Sequence, residues 1–267
     1  MRLMPKVPII TLLTDFGLAD QYVAVMKGVI LSTCPGACLV DISHEIAPFS
    51  IAEGAYTLAQ AWKYFPKGTT HLAVVDPGVG SARRPIVAEV DGHRFVTPDN
   101  GLLSLVFGSQ AGWKVREITA RRYFREPVSH TFHGRDIFAP VAAYLAQGLA
   151  PIRLGKAITD PVLGSFAKPV QLAEGHWRGA ILKIDRFGNL ITNFDWATFQ
   201  TIANRPFRLK AGRRTVTGYQ TTYAAAPAGR LFALAGSTGY LEVSMRESSA
   251  AKILGTTPGQ TIELQLG

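Results

Sequence analysis

His71-Leu72-Ala73-Val74-Val75-Asp76-Pro77-Gly78-Val79-Gly80-Ser81-Ala82-Arg83-Arg84 is the stretch on which the reading of this chain turns. The apolar run over residues 71–75 predicts a buried strand. Pro77, Gly78 and Gly80 end it at once, so Asp76 stands at the strand's carboxyl end with Arg83 on the same tight turn. Open α/β sheets hold ligands at that end of their strands. A structural turn closed by an ion pair is the plain alternative, and the surrounding sequence bears on the choice.

Upstream, residues 9–14 read as a strand, residues 18–31 as a helix with Tyr22, Val25, Met26 and Val29 at helical spacing, and residues 37–42 as a second strand. Ser50-Ile51-Ala52-Glu53 has capping-box spacing and opens a helix through Tyr56, Leu58, Ala59 and Trp62 that stops before Pro66. Strand, helix, strand, helix, strand predicts a mainly parallel sheet sandwiched by helices. Further strands are expected at residues 86–90, 94–96 and 113–118, and a helix over 136–149 with Phe138, Val141, Ala142 and Leu145 buried. The α/β domain is expected over residues 1–160. Three prolines between residues 151 and 169 mark a passage, with a linker over 161–175. Beyond it, β-branched and aromatic runs broken by glycine predict strands at 180–184, 190–192, 207–211, 231–234 and 241–244, and a short helix at 248–254. Residues 176–267 thus read as a smaller antiparallel β domain, a barrel or a sandwich.

The 267 residues carry a formal charge of +9, which suits anionic small molecules, nucleic acid or an acidic membrane alike. The densest basic run, Arg205, Arg208, Lys210, Arg213 and Arg214, alternates with Phe207, Leu209 and Ala211. That is the wet face of a half-buried strand, and no aromatic residues share that face as stacking platforms, so neither nucleic acid nor membrane is expected as a partner. Cys34 and Cys38 are too few for a disulfide framework and lack the company of a zinc site, so both are expected as free buried thiols. The apolar run over residues 7–13 is interrupted by Pro8 and followed by Asp15, without a cleavage pattern. It reads as neither signal peptide nor membrane span, and a cytoplasmic protein is expected.

Four clusters are suited to chemistry. Thr14-Asp15-Phe16-Gly17, followed by Asp20, puts a carboxylate at the end of the first strand, where it can accept hydrogen bonds from a diol or simply cap a helix. The turn with Asp76 and Arg83 is the second; its Gly78-Val79-Gly80 lacks the third glycine of a dinucleotide fingerprint. In the third, Thr131-Phe132-His133-Gly134-Arg135-Asp136, an imidazole precedes a helix beside a glycine that leaves room for a ligand. The fourth is Asp185-Arg186-Phe187-Gly188-Asn189-Leu190-Ile191-Thr192-Asn193, where a hairpin turn explains Phe187-Gly188-Asn189 but not Asp185 and Asn193. No nucleophile elbow, phosphate-binding loop, metalloprotease helix or cysteine metal cluster is present in the sequence.

Together with Pro98-Asp99-Asn100-Gly101, these motifs stand in the order found in the S-adenosyl-L-methionine (SAM) hydroxide adenosyltransferases, and the chain resembles that family along nearly its whole length. This is the hydrolase branch of the superfamily that also contains the fluorinase and chlorinase. The resemblance implies an α/β domain followed by a β-barrel, and a homotrimer with active sites between subunits. It implies hydrolysis of SAM to adenosine and L-methionine without cofactor or metal. The family's water-activating triad falls on Asp76, Arg83 and His133. Asp15 falls at the ribose hydroxyls, Asp20 and Asp185 at the methionine amino group, Ser237 at its carboxylate and Asn189 at adenine. Tyr223 falls where an aromatic stacks on the base, and Phe132, Gly134 and Val79 border the reacting centre. Halogenating members carry an aromatic residue where this chain has Asp76, and Tyr before Ser or Gly where it has His133-Gly134; the fluorinase loop insertion is also missing. At Arg246-Glu247-Ser248-Ser249 the chain departs from the family's usual Asn and Gly near adenine, leaving Glu247 and the backbone for that contact.

The chemistry suits these residues. The sulfonium of SAM is already a leaving group, so attack at the ribose 5′ carbon needs an aligned, desolvated oxygen more than an acid. Water, with a pKa of about 15.7, is a poor nucleophile; fixed positive charge and donors at Arg83 and His133 favour its hydroxide character, while Asp76 orients Arg83 or takes the proton. Two alternatives stand beside hydrolysis: halide-dependent synthesis of 5′-halo-5′-deoxyadenosine on the same scaffold, and a non-catalytic protein that holds SAM or adenosine.

Overall fold

Strand β1 (Ile9–Thr14) opens the computed structural model, which describes residues 7–267. Its side chains point alternately to both faces and are buried from Ile10 onward, as a strand covered on both sides requires. It pairs in parallel with β2 (Cys38–Ser43) on one side and β3 (Thr70–Val74) on the other. Helices α1 (Tyr22–Thr33) and α2 (Ile51–Ala61) make the two crossovers. With β2 and β3 flanking β1, right-handed crossovers place these helices on opposite faces of the sheet. Ser50 caps α2 as its spacing predicts, its hydroxyl accepting from the Glu53 N–H.

The sheet continues through β4 (Pro85–Val90), β5 (His93–Pro98), β6 (Lys114–Glu117) and β7 (Ala157–Ile158), in the order β2-β1-β3-β5-β4-β6-β7. Strands β2, β1, β3, β5 and β6 run one way and β4 and β7 the other, so the sheet is mostly parallel. Helix α3 (Ser104–Gly108) packs with α2, and α4 (Ala139–Ala146) with α1. The α1/α4 face holds a core of Ile10, Leu12, Met26, Ile30, Leu72, Val74, Phe138 and Val141.

Two helices differ from their sequence reading. Helix α1 begins at Tyr22 with Gln21 as its N-cap, because residues 15–20 form a turn in which Gly17 takes φ +66° and its N–H donates to the His44 carbonyl. Asp15 therefore does not cap a helix. The helix expected over 136–149 is a π turn at Gly134–Phe138 followed by α4. Pro140 has no N–H for the Asp136 carbonyl, and the Arg125 N–H takes that carbonyl instead.

The chain divides into two units, one ending at Gly164 and the other spanning Ser165–Gly267. Inside the expected linker lie a 3₁₀ turn, Ser165–Ala167, and β8 (Val170–Ala173), so residues 161–175 are not free chain. The second unit adds β9 (His176–Ile184), β10 (Leu190–Asp195), β11 (Phe207–Ala211), β12 (Arg214–Val216), β13 (Leu231–Ala235), β14 (Tyr240–Met245) and β15 (Thr261–Leu266), with short helices α5 (Trp196–Phe199) and α6 (Ala250–Leu254). The order is β12-β11-β15-β9-β10-β14-β13, with β8 on β9 and every pairing antiparallel. A bridge from Tyr219 to Ala233 brings the chain beyond β12 against β13, so the sheet nearly closes on its core of Ile181, Phe194, Leu209, Val243 and Leu264. Arg208 and Lys210 face solvent between buried Phe207, Leu209 and Ala211. Both cysteines are free, but only Cys34 is buried; Cys38, at the edge of the sheet, is exposed. Among the described residues no helix is long and apolar enough to cross a membrane.

Candidate active site

Strand β3 ends at Val74, and Asp76 follows at the mouth of the turn. The turn closes through Val79 N–H to the Asp76 carbonyl and Ser81 N–H to the Gly78 carbonyl. Gly80, at φ +78°, is indispensable: a Cβ there would lie 2.4 Å from the His130 carbonyl oxygen. The close approach sets the Asp76 turn against the segment leading to His133. Arg83 then reaches both sides. Its Nε donates to Asp76 Oδ1 at 2.9 Å, its Nη2 to Asp76 Oδ2, and the same Nη2 lies 2.8 Å from His133 Nδ1. The Arg83 and Asp76 side chains are only 9% and 5% exposed, and the guanidinium stacks over the Phe138 ring.

Pro98-Asp99-Asn100-Gly101 supports this corner from outside. Asn100 Nδ2 donates to the Val75 carbonyl, and Asp99 holds Arg84 at 2.6 Å, beside Arg83. His133 is fixed by the π turn that follows it. Within that turn Asp136 is fully buried and accepts from Arg135 and the Ser129 N–H. Burial pushes its carboxyl up, but Arg135, the Ser129 N–H and Arg125 outweigh it and hold Asp136 below the usual carboxylate range. The room expected beside Gly134 is filled: a Cβ there would meet Met26, Phe132 and Phe16 at 3.2–3.5 Å. Phe16, Tyr22 and Phe132 form an aromatic trio next to it.

Burial, and then the charge of Arg83, push the His133 imidazole below its ordinary value of 6.5 despite Asp76 and Asp136. Arg83 has only protons to offer, so Nδ1 must be the acceptor, and the neutral ring carries its proton on Nε2. Asp15 lies in the same unit, with Oδ2 accepting from the Phe49 N–H at 2.9 Å. Burial pushes its carboxyl up, the backbone N–H groups oppose this, and Asp76 adds to it. Asp20 is exposed on the bend before α1.

The second unit carries its own concave site, a cavity of about 640 Å³ lined by Asp185, Phe187, Asn189, Tyr223, Met245 and Arg246 to Ser249, Glu247 among them. The hairpin reading of Phe187-Gly188-Asn189 holds, with Gly188 at φ +87° packed on Ser249. It also accounts for the two residues it left over. Asp185 Oδ1 accepts from the Phe187 and Asn189 N–H groups and Oδ2 from Asn189 Nδ2. Asn193 accepts from the Ala180 N–H and donates to the Phe166 carbonyl, a purely structural pair of bonds. One acceptor position remains on Asp185 Oδ2, and the Asn189 side-chain oxygen Oδ1 is left as an acceptor. Tyr223 presents a half-exposed ring whose hydroxyl donates to Glu242 at 2.8 Å. Ser237 is exposed on the turn between β13 and β14 and does not line the cavity.

Glu242 is absent from the motifs singled out in the sequence, although a carboxylate within the apolar strand Leu241–Ser244 is a signal. It is 6% exposed, and burial first, then Asp185, push its carboxyl up against the Tyr223 bond. Among the described residues no group of three or more His, Cys, Asp or Glu side chains is gathered as a metal would need.

A mostly parallel α/β unit with a buried Asp–Arg–His line, followed by an antiparallel near-barrel with its own cavity, defines a narrow class of proteins. Residues 10–155 match the SAM hydroxide adenosyltransferase N-terminal domain and residues 179–263 the corresponding C-terminal domain, and the chain belongs to that family. It is 38% identical to the (R)-S-adenosyl-L-methionine hydrolase of Thermus thermophilus, covering 94% of this chain and 97% of that protein. The enzyme of the same name from Salinispora tropica is 37% identical over 99% of this chain and 100% of its own. A fluorinase from an Actinoplanes species is 30% identical over 70% of this chain and 71% of its length. Among solved structures, an uncharacterised conserved protein from Thermotoga maritima superposes with a TM-score of 0.84 at 35% identity, covering 96% of this chain and 99% of that one.

Proposed function

We propose that this chain hydrolyses SAM, as the (R) epimer at sulfur named for its relatives, to adenosine and L-methionine. The observation that carries the reading is Arg83 bridging Asp76 and His133 in a buried corner. Water oxygen forms the new bond to the ribose 5′ carbon as the carbon–sulfur bond breaks. The sulfonium keeps the bonding pair as a thioether, and one proton leaves to solvent. His133, with Nδ1 engaged by Arg83, offers Nε2–H to align the water oxygen and favour its hydroxide character as its proton leaves; it acts as a donor and not as a base. Asp76 holds the guanidinium in place and keeps the corner close to neutral until the nucleophile arrives.

Asp15 and Asp20 in the first unit serve the ribose hydroxyls and the methionine amino group. In the second unit Asp185 takes an ammonium N–H at its open acceptor position, Asn189 and the Arg246–Ser249 turn take the adenine edge, and Tyr223 stacks on the base. Ser237 serves the methionine carboxylate. The assembly is a homotrimer with its sites between subunits. Mixing Asp76→Ala and Asp185→Ala subunits under exchange should therefore restore activity that neither has alone; no recovery after proven exchange would contradict that assembly.

The activity itself is tested by incubating the pure protein with (R)-SAM, with and without chloride, and separating the products. Adenosine and methionine in equal amounts in both is the expected result. A chloride-dependent 5′-chloro-5′-deoxyadenosine peak would make the chain a halogenating enzyme, and bound but unchanged SAM would make it a binding protein.

A further inference from the structure

Strand β1 carries two threonine–histidine pairs of the same chemistry. Thr11 Oγ1 lies 2.8 Å from His71 Nδ1, deep in the sheet among Phe95, His93 and Trp62. Thr14 Oγ1 lies 2.8 Å from His44 Nδ1, immediately before Asp15. Only the second pair is joined to the residues on both sides of Asp15. Thr14 Oγ1 accepts the Phe16 N–H at 3.2 Å, and the His44 carbonyl accepts the Gly17 N–H at 2.8 Å. Five residues beyond His44, the Phe49 N–H donates to Asp15 Oδ2 at 2.9 Å. His44 thus fixes residue 14 through its ring and residue 17 through its backbone, while its own loop holds the Asp15 carboxylate.

The far side of the ring faces a carboxylate without an aligned hydrogen bond. Nε2 lies 3.0 Å from Asp41 Oδ1, and Asp41 Oδ2 is paired with Lys27 of α1 at 2.6 Å. Asp41 is aimed by a slip in the ladder between β1 and β2, where Leu12 pairs with Asp41 but Leu13 pairs with Ser43. His44 and Thr14 are 3% and 0% exposed, so neither can touch a substrate.

We propose that His44, acting through Thr14, is a positioning residue for Asp15 and so sets how strongly the site discriminates ligands that carry ribose hydroxyls. The inference rests on the reading of Asp15 as the ribose ligand. A carboxylate holding a diol must be kept within a few tenths of an ångström, and a turn of residues 15–20 with no helical bonds of its own has to take that rigidity from outside.

The test compares binding of adenosine and 2′,3′-dideoxyadenosine to the full-length protein and five variants. Asp15→Asn is expected to lose most of the wild-type preference for adenosine. His44→Ala is expected to weaken adenosine about tenfold and leave dideoxyadenosine unchanged, with kcat at saturating SAM within a factor of about three, as an effect on positioning and not on chemistry requires. His44→Asn, which retains a polar atom near Nδ1, should recover most of the preference. His71→Asn, the matching change in the core pair, should lower Tm without altering the preference. If His44→Ala does not fold, Thr14→Val reads the same link.

If Asp15→Asn loses the preference while His44→Ala and Thr14→Val keep it, the positioning role is overturned and the ribose reading stands. Equal loss for both ligands in the His44 and Thr14 variants would make His44 a structural residue and overturn the proposal. If Asp15→Asn keeps the preference, the ribose reading itself falls, and the proposal with it.

Discussion

The corner of Asp76, Arg83 and His133 and the cavity of Asp185, Asn189 and Tyr223 solve different problems with similar residues. In the first unit the charged groups are spent on one another along a single line, Asp76 to Arg83 to His133, which leaves one directed N–H for a small nucleophile. In the second unit two carboxylates serve mainly as scaffolding. Asp185 braces its own hairpin with one acceptor position to spare and Glu242 fixes Tyr223, so the cavity of about 640 Å³ is lined by the Phe187 and Tyr223 rings, Asn189 and the Met245–Ser249 segment. On the proposed reading, the difference is that charge set at a strand end by a glycine turn is placed for chemistry, whereas charge buried within a strand or hairpin shapes a surface for recognition.

The comparison breaks most sharply at Arg83. Arg83→Met should lower kcat by more than about 10⁴-fold, upwards of about 5 kcal/mol of transition-state stabilisation. It should also destabilise the fold by about 3–5 kcal/mol, since it strands a buried carboxylate. Adding Asp76→Asn should recover most of the lost stability in thermal melts and none of the activity. Activity that returned with stability would place the corner among structural ion pairs.

Next in size is His133→Ala, with an expected loss of about 10²- to 10³-fold in kcat and little change in KM. His133→Gln, whose amide can donate from near the Nε2 position, should restore at least a tenth of wild-type kcat. A base cannot be replaced in this way, so a Gln variant as slow as the Ala variant would return His133 to the role of proton acceptor.

Acid should act on the same residue. Only the neutral ring accepts from Arg83, and its pKa is pushed below 6.5, so activity is complete above that pH and is lost as pH falls through the lowered value. Each further pH unit should cost about tenfold in kcat/KM. A rate profile with its acid limb above pH 6.5 would contradict the direction of the shift.

The smallest effect belongs to the second unit. Tyr223→Phe removes the donor to Glu242 and should cost about 0.5–1.5 kcal/mol of adenosine affinity with kcat unchanged. A fall in kcat there would erase the division of labour between the two regions.

Much of this architecture is legible in the amino-acid sequence. The strand boundaries of β1 and β11 and the capped start of α2 follow from apolar periodicity and local capping chemistry, which are properties of a few neighbouring residues. The Asp76 turn is legible because Pro77 and the glycines leave few conformations. Strand β15, absent from the expected strands, carries a strict alternation in Thr-Ile-Glu-Leu-Gln-Leu that signals it equally well. The π turn before α4 is not legible, since it depends on the Arg125 N–H arriving from elsewhere to take the carbonyl that Pro140 cannot serve. The roles of Asn100, Asp99 and Glu242 are hidden for the same reason: their partners Val75, Arg84 and Tyr223 are contacts that folding alone creates. The expectation of open space beside Gly134 fails on this ground too, for sequence shows a missing side chain but not the rings that fill its place.

Central to the proposed function is the reading that the Asp76–Arg83–His133 corner directs a water molecule at the ribose 5′ carbon. A single turnover of SAM in oxygen-18 water, with mass analysis of the adenosine, tests this most directly. One heavy oxygen at the 5′ hydroxyl in every product molecule is the expected result. Unlabelled adenosine would contradict it, because the oxygen would then have come from a side chain of the enzyme.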